Sequence, residues 1–275
     1  DVVYVCGRLY LFAVLCPFDF AYTVHIKSTQ QDDLFAALLF VANDASSRSN
    51  VNKLMYCEFN REPSICDPIA FAALLKMRLN QSIPLKHNQR VEVHVRFMRN
   101  RWRCALAQAS GSLPLTKTIK FLAWEHVVNA SRFIPTTKTL PYLPAQLVDW
   151  PIVNGKMQEL PSPGPAYHTP PAFGSFVIAS QRHESDKSKP VRQIGIILGM
   201  ETNTRGVFVR FTGSEKLFVR NAYRVVAPQI GKHLWNQVPN KIPFIGEEEL
   251  LEQESDMIPA VFNSNDPIDS NDLSY

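Results

Sequence analysis

The chain has 275 residues, 45% hydrophobic and 20% charged, with a net charge of +4, which excludes a mostly disordered or collagen-like protein and leaves room for roughly two domains. Its longest apolar runs, residues 9–16 and 34–42, fall short of the roughly 18 needed to cross a bilayer, so no membrane partner is expected. From Gly231 onward two lysines face nine acids, a net of −7, so residues 1–230 carry +11; a basic body with an acidic tail suits nucleic acid or another anionic partner, though a plain basic domain with a solubilising tail has the same charge.

Residues 3–16 are apolar and rich in β-branched and aromatic side chains, broken only at Gly7-Arg8, and predict two strands joined by a tight turn. This run lacks a basic leader and ends at Pro17, so it does not read as a secretory signal. Residues 20–27 alternate as a third strand, and a helix begins at Asp32 or Asp33, where the helix dipole favours an acid. Residues 51–59 have a strand pattern. Residues 67–80 predict a helix with Asp67 as N-cap and Pro68 at the first helical position. Two more helices are expected, at about 89–108 and 114–132. Together residues 1–135 read as a mixed α/β domain.

Residues 136–172 hold many of the prolines and read as an extended linker. Five short alternating strands then follow within 173–228, the pattern of a small all-β barrel of the SH3-like or OB kind. Residues 229–275 are polar, acidic and weakly periodic, and are expected to be largely disordered; removing 231–275 should then leave stability nearly unchanged. The five cysteines include no CxxC pair, which argues against a disulfide framework or zinc knuckle and for a reducing compartment.

The 89–108 helix carries the strongest chemical pattern. Val91, Val95, Met98 and Trp102 make an apolar stripe, and Glu92, Arg96, Arg99 and Arg103 follow the same spacing one step round. Arginines along one helix face can track phosphates. The plainer alternative is a solvated face with a Glu92–Arg96 pair.

Asp1 stands immediately before the first strand, Asn60-Arg61-Glu62 ends the fourth, and His87 precedes Glu92 by five residues at the start of the long helix. With the segment at 96–105, the WEHVVNASRFIP stretch and the proline-rich LPYLPAQLVDW, this order resembles the integrases of copia-like and related retroelements. The resemblance implies a ribonuclease-H-like α/β core of mixed sheet and flanking helices, followed by an SH3-like barrel. It implies metal-dependent DNA strand transfer at Asp1, the position of Asn60, and Glu92, with Asp1 and Glu92 holding Mg2+ or Mn2+. The second position departs from the family, because Asn60 offers a neutral amide where an acid is expected, and hard cations want anionic oxygen. Strand transfer is therefore expected to be impaired or absent. Glu58 and Glu62 are nearby carboxylates, and Asp19 reads as a turn residue.

The barrel region adds Arg192, Arg205, Arg210, Lys216, Arg220 and Arg224, of which Arg210, Lys216 and Arg220 are expected to join Arg96, Arg99 and Arg103 in binding DNA. The resemblance further implies a homo-oligomer and a nuclear or cytoplasmic location. The main alternative is a non-catalytic nucleic-acid-binding or scaffold protein derived from an integrase. A protein-interaction module worked by the barrel is the third reading.

Overall fold

The computed structural model describes residues 1–48, 56–59, 73, 78–81, 89–136, 139, 141–149, 152–153, 156–157, 170–180, 192–201, 206–212, 214 and 216–237. The opening apolar run folds as an antiparallel meander of β1 (Val2–Val5), β2 (Arg8–Leu15) and β3 (Phe20–Ile26). Val2 lies opposite Leu11, and Leu15 opposite Phe20. Cys6 and Gly7 form the first turn with φ of 52° and 91°, the left-handed pair that a two-residue hairpin loop needs and that glycine adopts without strain.

Successive side chains leave a strand on opposite faces. Val3, Val5, Tyr10, Phe12 and Ala21 enter one core with Val95, Met98, Phe121, Trp124 and Val128. Leu11, Phe20, Tyr22 and Ile26 take the other face, against Leu34, Ala37, Ala45 and Val148. Burial on both faces is why these strands are apolar throughout rather than alternating.

Helix α1 (Gln31–Ser47) covers the second face, with Asp32 and Asp33 in its first turn. The first face carries α2 (Gln89–Ala109) and α3 (Lys117–Ser131). The third helix starts later than its sequence suggested, because Thr116 caps it: its hydroxyl accepts from the Ile119 backbone N–H at 3.2 Å. Helix α3 is buried nearly all round. It lies between the meander and a second sheet.

One expectation for the first half changes. Arg78–Gln81 is a strand rather than the end of a helix, and pairs in parallel with Tyr56–Phe59; these are β5 and β4. Most of the expected 67–80 helix lies outside the described residues. The β4–β5 pair shares no ladder with β1–β3 among the described residues, and the mixed α/β class holds.

The proline-rich stretch is also more than a linker. Pro144–Asp149 forms helix α4, and its fully buried Val148 packs against Phe20 and Tyr22. The Arg48 guanidinium bridges Asp149 at 3.2 Å and Asp44 at 3.0 Å, fastening α4 to the end of α1. A short hairpin of β6 (Ile152–Val153) and β7 (Lys156–Met157) follows.

The C-terminal strands are β8 (Phe176–Ala179), β9 (Gln193–Met200), β10 (Val207–Phe211), β11 (Leu217–Arg220) and β12 (Tyr223–Val225), one for each stretch expected. They form a five-stranded antiparallel sheet in the order β11-β10-β9-β8-β12. One face packs on α2 and α3, where Ala109, Ile119 and Ala123 meet Phe173, Phe176, Ile194, Ile196 and Leu198. Gly174, at φ 76°, lies where a Cβ would come within 2.8 Å of Ala109; glycine is what allows that approach. The sheet therefore shares a core with the first half of the chain. The boundary drawn at 228 moves as well, because Pro228–Gln237 forms helix α5, with Leu234 and Trp235 packed into that core.

The α3 interface carries a prediction. Burial pushes the His126 imidazole down to about 4, partly offset by hydrogen bonding to the Gly199 and Pro171 backbone. Burial, with Arg8 nearby, does the same to His25. Both are neutral in the native state at pH 7, while an unfolded histidine titrates near 6.5. Between those values the unfolded chain binds more protons, so the stabilisation is full above about pH 6.5 and is lost as pH falls toward 4. The melting temperature should fall over that window, and less steeply in His126→Leu. A wild-type melting temperature flat from pH 7 to pH 4 would contradict the burial of these rings.

Candidate functional site

The apolar stripe of α2 faces the core as its spacing predicts: Val95 and Met98 are buried, and Val91 and Trp102 pack beside them. That orientation turns the next row of residues toward the start of β1. Asp1, Glu92, Arg96, Arg99, Asn100 and Arg103 line one open cleft of about 360 Å³, with Val2, Val3 and Val95 completing its wall. Asp1 and Glu92 are 91 positions apart in sequence, and the sheet-on-helix packing brings them to one surface. Asn100 escaped the sequence reading, although its position eight residues after Glu92 places it on the same helical face.

Asp1 is held by the sheet. Its backbone nitrogen donates to the Phe12 carbonyl at 3.0 Å, and its carbonyl accepts from the Phe12 N–H at 2.8 Å. Its Oδ1 accepts from the Val2 N–H at 2.9 Å. Because Phe12 is fully buried, the ladder fixes Asp1 at the lip of the cleft. Glu92, Arg96, Arg99 and Arg103 are all exposed. The ion pairs of Arg48 with Asp44 and Asp149, and of His94 with Asp19, involve none of these three arginines.

Among the described residues, the donor set is a poor match for two divalent cations. Two carboxylates line the cleft, one already accepting a backbone N–H, and three guanidiniums share the space. Among the described residues no group of three or more His, Cys, Asp or Glu side chains converges to hold a metal ion. Hard cations need several oxygen ligands with anionic charge among them, and guanidiniums supply neither. Asn60, Glu62 and His87 lie outside the described residues, as does the Glu58 side chain.

Asp19 lines no part of this cleft. It sits at φ 54° in the β2–β3 turn and is buried. Its Oδ2 accepts from the Thr136 hydroxyl at 3.0 Å, and its Oδ1 lies 3.6 Å from His94 Nε2. The other ring nitrogen, Nδ1, is 2.8 Å from the Arg90 carbonyl and donates to it. Asp19 thus ties the start of α2 to the sheet edge, two residues beyond Glu92.

The cationic set of the second sheet divides. Arg210 is buried at 4% exposure and turns to the Ser214 carbonyl, so it is not displayed for a phosphate. Arg220 is half-buried; its Nε donates to the Ser180 carbonyl, and its guanidinium lies 5.1 Å from the Phe218 ring centre. Both are expected to contact DNA; Arg210 is instead buried within the fold, while Arg220 keeps part of its surface exposed. Lys216, Arg192 and Arg224 are exposed, and Arg205 lies outside the described residues.

No protein-family model and no curated protein matches the chain. Among solved structures, the catalytic core domain of BIV integrase is similar at 13% identity and a TM-score of 0.38, over 54% of this chain and 90% of that chain. A chain of the simian T-cell lymphotropic virus intasome in complex with PP2A regulatory subunit B56 gamma is similar at 11% identity and a TM-score of 0.40, over 82% of this chain and 80% of that one.

Proposed function

We propose that this chain is an integrase-like protein that binds DNA through the α2 arginine face and the exposed cations of the second sheet. Its Mg2+- or Mn2+-dependent strand-transfer chemistry is impaired or absent. The observation that carries this reading is the meeting of Asp1 and Glu92 in one cleft with Arg96, Arg99 and Arg103. A first-strand acid facing a helix-borne acid is the arrangement that the sequence resemblance implies for a ribonuclease-H-like core. Asn60 in the place of the second acid is what impairs the chemistry.

An SH3-like closure of the second sheet fits the same reading. One cluster joins Val177, Ile197, Val207, Val209 and Phe211 to Phe218 and Tyr223 from the two outer strands. The Arg220–Ser180 hydrogen bond also spans from the end of β11 to the end of β8. In this reading the protein works in the nucleus or cytoplasm and self-associates on DNA.

The test is the salt dependence of binding to a labelled DNA duplex. Replacing Arg96, Arg99 and Arg103 together with alanine should weaken binding and lower the slope of log K against log salt by roughly one unit per lost phosphate contact. An unchanged slope would remove α2 from the interface. The non-catalytic scaffold reading predicts the same slope and differs in predicting no metal-dependent joining of a labelled oligonucleotide.

A further inference from the structure

The charges around the cleft point beyond DNA binding to how it is achieved. A two-cation site depends on an excess of anionic ligands to offset the added positive charge. Among the described residues lining this cleft the balance is reversed, with three guanidiniums to two carboxylates. Any cation entering the cleft would meet like charge from the arginines. A phosphodiester would meet the opposite.

The spacing suits a nucleic-acid backbone. Arg96, Arg99 and Arg103 span about 10 Å along the α2 axis at 1.5 Å per residue, long enough to reach more than one phosphate of a strand. Guanidiniums make paired hydrogen bonds to phosphate oxygens, and Asn100 adds a neutral donor on the same wall. We infer that this cleft holds the phosphodiester backbone of nucleic acid directly on Arg96, Arg99 and Arg103, without a divalent cation, and that Asp1 and Glu92 weaken that contact rather than create it. The inference rests on the nucleic-acid reading above. It differs from a degenerate metal site in the sign it assigns to the carboxylates.

That sign is measurable. The full chain is titrated with a fluorescent DNA duplex at constant ionic strength in EDTA, in Mg2+ and in Mn2+. Binding should persist undiminished in EDTA. Glu92→Gln, an isosteric change at an exposed position, should tighten binding about threefold in every buffer by removing one opposing charge. Arg99→Ala should weaken it in EDTA, and Arg99→Lys should keep part of the affinity. Binding that requires Mn2+ or Mg2+ and is lost in Glu92→Gln would overturn the inference, because the carboxylates would then be recruiting a cation; the DNA-binding reading would stand. Absence of salt-dependent DNA binding in all three buffers would overturn that reading, and this inference with it.

Discussion

Trp124→Ala is expected to remove much of the stability of the first domain, about 3–5 kcal/mol. Trp124 is fully buried on α3. Its ring centre lies 6.5 Å from Tyr10, 6.3 Å from Phe12 and 6.5 Å from Trp102, so one side chain joins the meander to α2. Its indole N–H also donates to the Thr23 hydroxyl at 3.0 Å. Alanine leaves a cavity walled by aromatic rings that cannot collapse independently and strands a hydroxyl acceptor, and the two costs act in the same direction. Since a typical domain has only about 5–15 kcal/mol in hand, the urea midpoint should fall steeply. Trp124→Phe should cost less, because it keeps most ring contacts and loses mainly the hydrogen bond. Equal and small effects from both variants would contradict the packing described for α3.

Truncation at residue 230 is expected to cost about 3 kcal/mol, from the apolar burial of Leu234 and Trp235 against the shared core. The weak apolar periodicity of residues 231–275 suggests that the same deletion would be neutral. The difference lies in α5. Gly231 packs so closely on β8 that a Cβ there would stand 2.3 Å from the Phe176 side chain, and Trp235 lies 6.1 Å from the Phe176 ring. Gly231→Ala resolves two opposing terms. Helix propensity would stabilise it by about 1 kcal/mol, but overpacking against a buried ring costs about 1–3 kcal/mol, so the net effect should be destabilising. An unchanged melting temperature on truncation would restore the view that nothing past residue 230 packs.

The legible parts of the fold were those whose period matches their burial. The stripe from Val91 to Trp102 placed α2 within a residue of its observed end, and the five β-rich stretches between 173 and 228 each became a strand. Strand β5, with the sequence RLNQ, lacks β-branched and aromatic residues, and only pairing with β4 makes it a strand. Helix α4 was hidden by proline, which is tolerated in a helix's first turn, where Pro144 sits.

The site was legible in its helical half, since Glu92 and the arginines share one face by spacing alone. Its union with Asp1 followed only from the resemblance, because 91 residues of separation carry no local signal. The surroundings of Arg210 and Arg220 carry no signal in the sequence. Their guanidiniums are consumed by backbone carbonyls, and in Arg220 also by aromatic rings, a use that no composition count distinguishes from a phosphate contact.

Site-specific photo-crosslinking to DNA tests the central claim most directly. A benzophenone amino acid is placed at Arg99, on the cleft wall, and separately at Phe40, exposed at 58% on α1 across the sheet. Each full-length variant is irradiated with a labelled duplex in EDTA. The account predicts a salt-sensitive crosslink from position 99 and little from position 40. Crosslinking from position 40 with none from position 99 would show that DNA, if bound, lies on the other face, and that the Asp1–Glu92 cleft is not where it is held.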